Sequence, residues 1–234
     1  MRNNKFYLLL LANILLLSSL LWVNFSNIDI EIQNYFFDLQ TNSWIVDKEE
    51  PLGKLIFYKL PKVLFGLAIL GTLIFAILGF KKKNAFLFSN RHNLLLIFLG
   101  FCLIPLIAGN IKKFTNIYCP CQLTLYGGDK PYVKIFDHYP AEFQQNKVGQ
   151  CFPAGHAVTG FALFILFFAF KGRNQKIIAF LSAFFFGWIL GLYQMMKGAH
   201  FFGDTLIAML ICFLLAAIIA KIYSKFTRYE SENY

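Results

Sequence analysis

The chain has 234 residues, of which 58% are hydrophobic and 15% charged, with a formal net charge of +10 at pH 7. Soluble domains are about 45–50% apolar, so this composition belongs in a bilayer and excludes an ordinary soluble domain. The basic balance could suit nucleic acid, but the basic residues fall loop by loop, which excludes that partner.

About 20 apolar residues suffice to cross a bilayer, and six such stretches occur at 6–23, 63–80, 94–110, 156–170, 177–195 and 202–222. The expected fold is all-α and integral to the membrane. It has six transmembrane helices, an interfacial segment between the first two, and an outer loop between the third and fourth. Too little chain remains for a second domain, so residues 1–234 are expected to form a single membrane domain. The first stretch follows Arg2 and Lys5 as a signal peptide would. Its apolar run is long, however, and Trp22-Val23-Asn24-Phe25 follows in place of small residues, so an uncleaved helix is expected.

Arg2 and Lys5, Lys81-Lys82-Lys83 with Arg91, Lys171, Arg173 and Lys176, and Lys221, Lys225 and Arg228 all flank spans on one side. The segment 24–59 has six acidic and three basic residues and falls on the other side. By the positive-inside rule both termini are cytoplasmic, and anionic headgroups suit the basic loops. Within 24–61, Ile28, Ile30, Ile32, Phe36, Phe37, Leu39 and Trp44 suggest an interfacial helix. It is expected to cap the bundle, the sharper alternative being a gate for lipid.

The third span ends in Lys112-Lys113 on the outer side, against the charge bias. Such lysines can snorkel to headgroups, but they also invite an anionic ligand. The outer loop then has Cys119-Pro120-Cys121, turn signals at Gly127-Gly128 and Lys130-Pro131, and Cys151. An outward compartment is oxidising, so a disulfide of Cys151 with Cys119 or Cys121 is expected. A metal site would need a fourth ligand of usual spacing, which is missing. Cys102 and Cys212 lie inside spans and read as core.

Phe152-Pro153-Ala154-Gly155-His156 opens the fourth span, where small residues leave helix N–H groups accessible to an anion. Lys197-Gly198-Ala199-His200-Phe201-Phe202-Gly203-Asp204 opens the sixth. Residues four apart share a helix face, so Asp204 can reach His200. An ionisable group at the boundary of an apolar helix points to a functional partner. The orientation rule puts both histidine strings on the outer side. A carboxylate-held histidine beside a second histidine equips a site for nucleophilic displacement at phosphorus.

These strings resemble the type 2 phosphatidic acid phosphatase superfamily, which includes the vanadium haloperoxidases. Its pattern is a lysine, six residues, Arg-Pro; then Pro-Ser-Gly-His; then Ser-Arg, five residues, His, three residues, Asp. Here Lys112 precedes Cys119-Pro120 at that spacing, Pro153-Ala154-Gly155-His156 matches the second element, and His200 and Asp204 match the third. The resemblance covers 110–222. Cys119 stands where the first arginine belongs, and Tyr193-Gln194 where Ser-Arg belongs. The chain resembles a bacterial branch with Cys-Pro in the first motif and a basic residue before Gly-Ala-His-Phe.

The resemblance implies His200 as nucleophile, Asp204 as its orienting carboxylate and His156 as general acid. It implies Lys112, Lys197 and the N–H groups around Ala154 and Gly155 as the phosphate cradle, with Lys197 replacing a lost arginine. No metal or cofactor enters that scheme. The implied activity is hydrolysis of a lipid phosphomonoester or pyrophosphate at the periplasmic face of a bacterial inner membrane. A lipid A-type glycolipid is favoured over undecaprenyl pyrophosphate or phosphatidylglycerol phosphate; lipid phosphotransfer uses the same residues. A degenerate anionic-lipid binder is the competing class, favoured by the missing arginines and opposed by the intact His156, His200 and Asp204. A transporter would place ionisable groups at mid-membrane, whereas here they gather at the outer boundary.

Overall fold

The computed structural model describes residues 2–82 and 84–232, with side chains described for 7–82 and 84–227. The side chains of Arg2, Lys5, Lys83 and Arg228, used in the topology reading, lie outside the described residues. Five helices are long and apolar enough to cross a membrane: α1 (Arg2–Phe25), α4 (Leu60–Phe80), α5 (Ala85–Thr115), α8 (Arg173–Met196) and α9 (Phe202–Glu232). Leu10, Leu17, Leu64, Leu67, Ile178 and Phe185 point outward from them and remain exposed. A lipid solvent permits this and water would penalise it.

The helix ends follow from local chemistry. Asn84 adopts extended backbone and its side chain accepts from Phe86 N (2.8 Å) and Leu87 N (3.2 Å), which starts α5. Asn116 ends it in the left-handed conformation at φ 51°. Its side chain then holds the outer loop, accepting from Gly149 N at 2.8 Å and exchanging bonds with Gln145 at 2.6 and 2.9 Å.

The stretch expected at 156–170 is two short helices, α6 (Gly155–Phe161) and α7 (Phe164–Ala169), broken at Ala162–Leu163. Together Gly155–Ala169 is shorter than the five spanning helices. At 1.5 Å per residue it covers about 22 Å, less than a hydrocarbon core of about 30 Å. It lies within the bundle: Ala157, Phe161, Phe164 and Ile165 pack with Ile104 and Ala108 of α5 and Ala208 and Cys212 of α9. Protein therefore surrounds the start of α6.

The segment 24–61 is not one interfacial helix. Only α2 (Ile28–Asn34) is helical at its start, followed by strands β1 (Phe37–Asp38) and β2 (Ser43–Trp44), paired Phe37↔Trp44, then α3 (Pro51–Lys54). Asp38 Oδ1 accepts from Gln40 N at 2.8 Å, which favours a turn over continued helix. The hairpin puts Phe37 and Trp44 together against Tyr126, with ring centroids 4.8–5.3 Å apart. The segment caps the bundle. A π-helical turn at Leu55–Lys59 joins α3 to α4. From it Phe57 stacks on Tyr193 at 4.8 Å while the next residue, Tyr58, meets His156 at 4.7 Å.

Candidate active site

Backbone hydrogen bonds join the three sequence motifs before any side chain is considered. Ala154 N donates to Asp204 O at 3.0 Å, Cys121 N to Gly198 O at 2.8 Å and Cys151 N to Ile117 O at 2.9 Å. The turn carrying His200 leaves α8 through Gly198 at φ +70°, and Ala199 N closes it onto Gln194 O at 2.8 Å. Glycine is required there twice over: the φ is left-handed, and a Cβ would collide with the Trp44 indole.

His200 is buried, and its Nδ1 lies 3.3 Å from Asp204 Oδ2 and 3.3 Å from Cys151 Sγ. Asp204 Oδ2 also accepts from Phe201 N at 2.9 Å, which fixes the carboxylate. Cys151 is bonded to Cys119 in a disulfide, so its sulfur has no proton to donate. Both neighbours of Nδ1 are thus acceptors. The ring proton belongs on Nδ1, and Nε2 keeps its lone pair. Burial first, then the charges of Lys112 and Lys197, hold the His200 pKa well below the ordinary imidazole range. A lowered imidazole pKa keeps the ring neutral as pH falls through 6.5, so a nucleophile there is not lost at neutral pH.

His156 sits with its ring centroid 6.0 Å from that of His200 and 4.7 Å from that of Tyr58. Three lysines converge on the pair. Lys112 crosses the start of α6, where a Cβ on Gly155 would lie 2.9 Å from its Cε and Nζ. Lys197, buried at the end of α8, places Nζ 4.9 Å from the Tyr193 ring and 5.7 Å from that of Tyr58. Lys62 Nζ is 3.8 Å from the Tyr58 ring. Among the described residues the ion pairs are Lys54–Glu49, Lys130–Asp129 and His200–Asp204, so none of the three lysines meets a carboxylate. His156 Nδ1 and both side-chain polar atoms of Gln194 are buried without a hydrogen-bond partner among the described residues. Buried polar groups are nearly always bonded. Unpaired cations beside unsatisfied polar atoms describe a site for an anion.

The sequence motifs His156, His200, Asp204, Lys112, Lys197 and Gly155 are therefore brought together. Ala154 differs: its N–H already serves Asp204 O, so it has no donor left for a ligand. Tyr58, Lys62 and Gln194 escaped sequence reasoning. Lys62 carried a signal, being a basic residue at the end of an apolar span like Lys112. Gln194 was read as an arginine lost rather than as a neutral donor kept. Cys119, Cys151 and His200 have ligand atoms within 4.8 Å of one another, but the disulfide uses both thiols and leaves His200 as the single donor of that group.

The sequence model of the PAP2 superfamily matches residues 93–228. The chain belongs to the PAP2 superfamily. A lipid A 4'-phosphatase of Francisella tularensis subsp. novicida is 25% identical over 234 residues, covering 94% of this PAP2 chain and 98% of that protein. No solved structure matches the chain.

Because the disulfide carries a sulfur that faces Nδ1, it ties site to scaffold. Closing a loop of 32 residues contributes about 3–4 kcal/mol by the loop-entropy relation. The Cys119→Ser/Cys151→Ser double variant should unfold more readily in detergent. Its activity should fall more steeply than its folded fraction, measured by thermal melting beside phosphate release.

Proposed function

We propose that this protein is an integral membrane phosphatase that removes phosphate from a lipid through a phosphohistidine on His200, a lipid A-type glycolipid being the favoured substrate. The observation that carries this reading is the Nδ1 environment of His200, which leaves Nε2 unprotonated within a basic, carboxylate-poor pocket. Nε2 attacks phosphorus and the P–O bond to the lipid breaks. His156 gives a proton to the departing oxygen, and the negative charge of bound phosphate favours its protonated ring. Asp204 stabilises the imidazolium that forms. Water then attacks phosphorus, losing its proton to His156, and the N–P bond breaks to release phosphate. Lys112, Lys197, Lys62 and the Gly155 N–H hold the phosphate oxygens; no metal is used in this scheme. Gln194 supplies a neutral donor where the superfamily pattern has arginine.

A lipid substrate is supported by an apolar groove of about 530 Å3 lined by Val46, Leu52, Ile56, Phe57, Leu192 and Tyr193. Tyr193 and Phe57 stack there, and Tyr58 continues to His156, so an acyl chain in the groove would leave its headgroup beside the histidines. In the same proposal the chain is one domain in the inner membrane of a bacterium. Gly155–Ala169 completes six passes, both termini are cytoplasmic, and the site opens to the periplasm. The relative's printed name supports the choice of lipid A.

Purified protein in detergent should release inorganic phosphate from lipid A faster than from undecaprenyl pyrophosphate or phosphatidylglycerol phosphate. A different best substrate would move the headgroup assignment. Release from none by folded protein would leave an anionic-lipid binder.

A further inference from the structure

Behind the His200–Asp204 pair lies a cavity of about 20 Å3, room for one water molecule, lined by Val23, Asp29, Ile117, Tyr132, Phe201 and Asp204 among others. Two carboxylates therefore share one small chamber. Asp29 belongs to α2, outside the segment matched by the superfamily model, and is only 8% exposed. Its Oδ1 accepts from Gly203 N at 2.6 Å, on the residue that precedes Asp204. Two anions in such a space repel, and one of them binds a proton.

The contacts of the two carboxylates differ. Asp204 lies 3.3 Å from His200 Nδ1 and feels the charge of Lys112, whereas Asp29 is bonded to the Gly203 N–H and has no ion-pair partner among the described residues. The charged or titratable groups acting on Asp29 from neighbouring elements are Asp204 of α9 and Lys134 of the outer loop. Tyr132 and Tyr126 sense it in turn. Lys134 also lines the cavity, but its Nζ is bonded to Ser26 O at 3.0 Å and Asn27 Oδ1 at 3.3 Å rather than to either carboxylate. Burial, followed by the Asp204 charge, pushes the Asp29 pKa up to about 7.

We propose that Asp29 is a positioning residue: its protonated carboxyl, fixed by the Gly203 N–H, faces Asp204 across this cavity and holds the Asp204 carboxylate toward His200. The inference rests on the reading of His200 as nucleophile. It assigns a role in the reaction to the cap segment. An amide reproduces a protonated carboxyl, accepting from Gly203 on one side and donating into the cavity on the other, but it cannot ionise.

The test compares wild type with Asp29→Asn and Asp29→Leu by phosphate release across pH and by infrared spectroscopy of the protonated-carboxyl band. The wild-type rate should fall above neutral pH as Asp29 loses its proton. That limb should move upward or vanish in Asp29→Asn, whose rate at pH 6 should drop no more than about threefold. Asp29→Leu should lose about 100-fold in kcat at every pH. The infrared band present in wild type at pH 6 should be missing from Asp29→Asn. An alkaline limb identical in wild type and Asp29→Asn would overturn the proposal, as would Asp29→Asn being as weak as Asp29→Leu. A wild type without the infrared band would overturn it independently of turnover. A wild type with the band but no hydrolysis of any lipid phosphate would instead overturn the phosphatase reading.

Discussion

His200→Ala is expected to abolish phosphate release while leaving a folded membrane protein. The ring is one wall of the site but not a structural tie: the backbone bonds from Cys121 to Gly198 and from Ala154 to Asp204 O remain without it. Its Nε2 forms the bond to phosphorus in the proposed reaction, so the loss should be on the order of 10,000-fold or more. Wild type quenched in mid-turnover with radiolabelled substrate should carry acid-labile phosphate, and His200→Ala should carry none. Label retained in the variant would place the nucleophile elsewhere. His92 gives the contrasting control. It packs near Tyr223, outside the group of residues gathered around His200, and its substitution should leave turnover alone.

Lys112→Ala and Lys197→Ala should each lower kcat/KM by about 100–1,000-fold, or ~3–4 kcal/mol of transition-state stabilisation. The scale follows from a buried pocket in which charge builds on phosphate oxygens and no arginine fork is present. Lysine is a point charge, so several are needed, and three are found around His156. Lys112 is also the larger of the two charges that depress the His200 pKa. Removing it should raise that pKa, so the acid limb of the pH profile should appear at higher pH in Lys112→Ala than in wild type. A tenfold or smaller loss in Lys197→Ala with no loss in substrate affinity would move its place in the cradle to Lys62 or Gln194.

Much of the site could be read from the chain because its parts are held by spacing. His200 and Asp204 lie four residues apart, a distance that a helix start converts into contact whatever surrounds it. Pro153-Ala154-Gly155-His156 leads into a helix that starts at Gly155, with Ala154 in extended backbone as its cap. The charge bias then puts both strings on one side. Ala154 shows the limit of such reasoning. Spacing says that its N–H is exposed at a helix start, and only the packed structure shows that Asp204 O already accepts from it.

By itself the sequence determined that this is a helical membrane protein of the PAP2 type, and it singled out two histidines and a carboxylate as candidates for the site. Those features depend on hydropathy, charge and separations of a few residues. Tertiary structure decided what comes from afar: Tyr58, with Lys62 over its ring, against His156, the choice of Cys119 as partner of Cys151, Trp44 against Gly198, and Asp29 in one cavity with Asp204. Each joins positions 32 to 175 residues apart in the chain. No local periodicity encodes such pairs, because they exist only once distant segments have packed against one another.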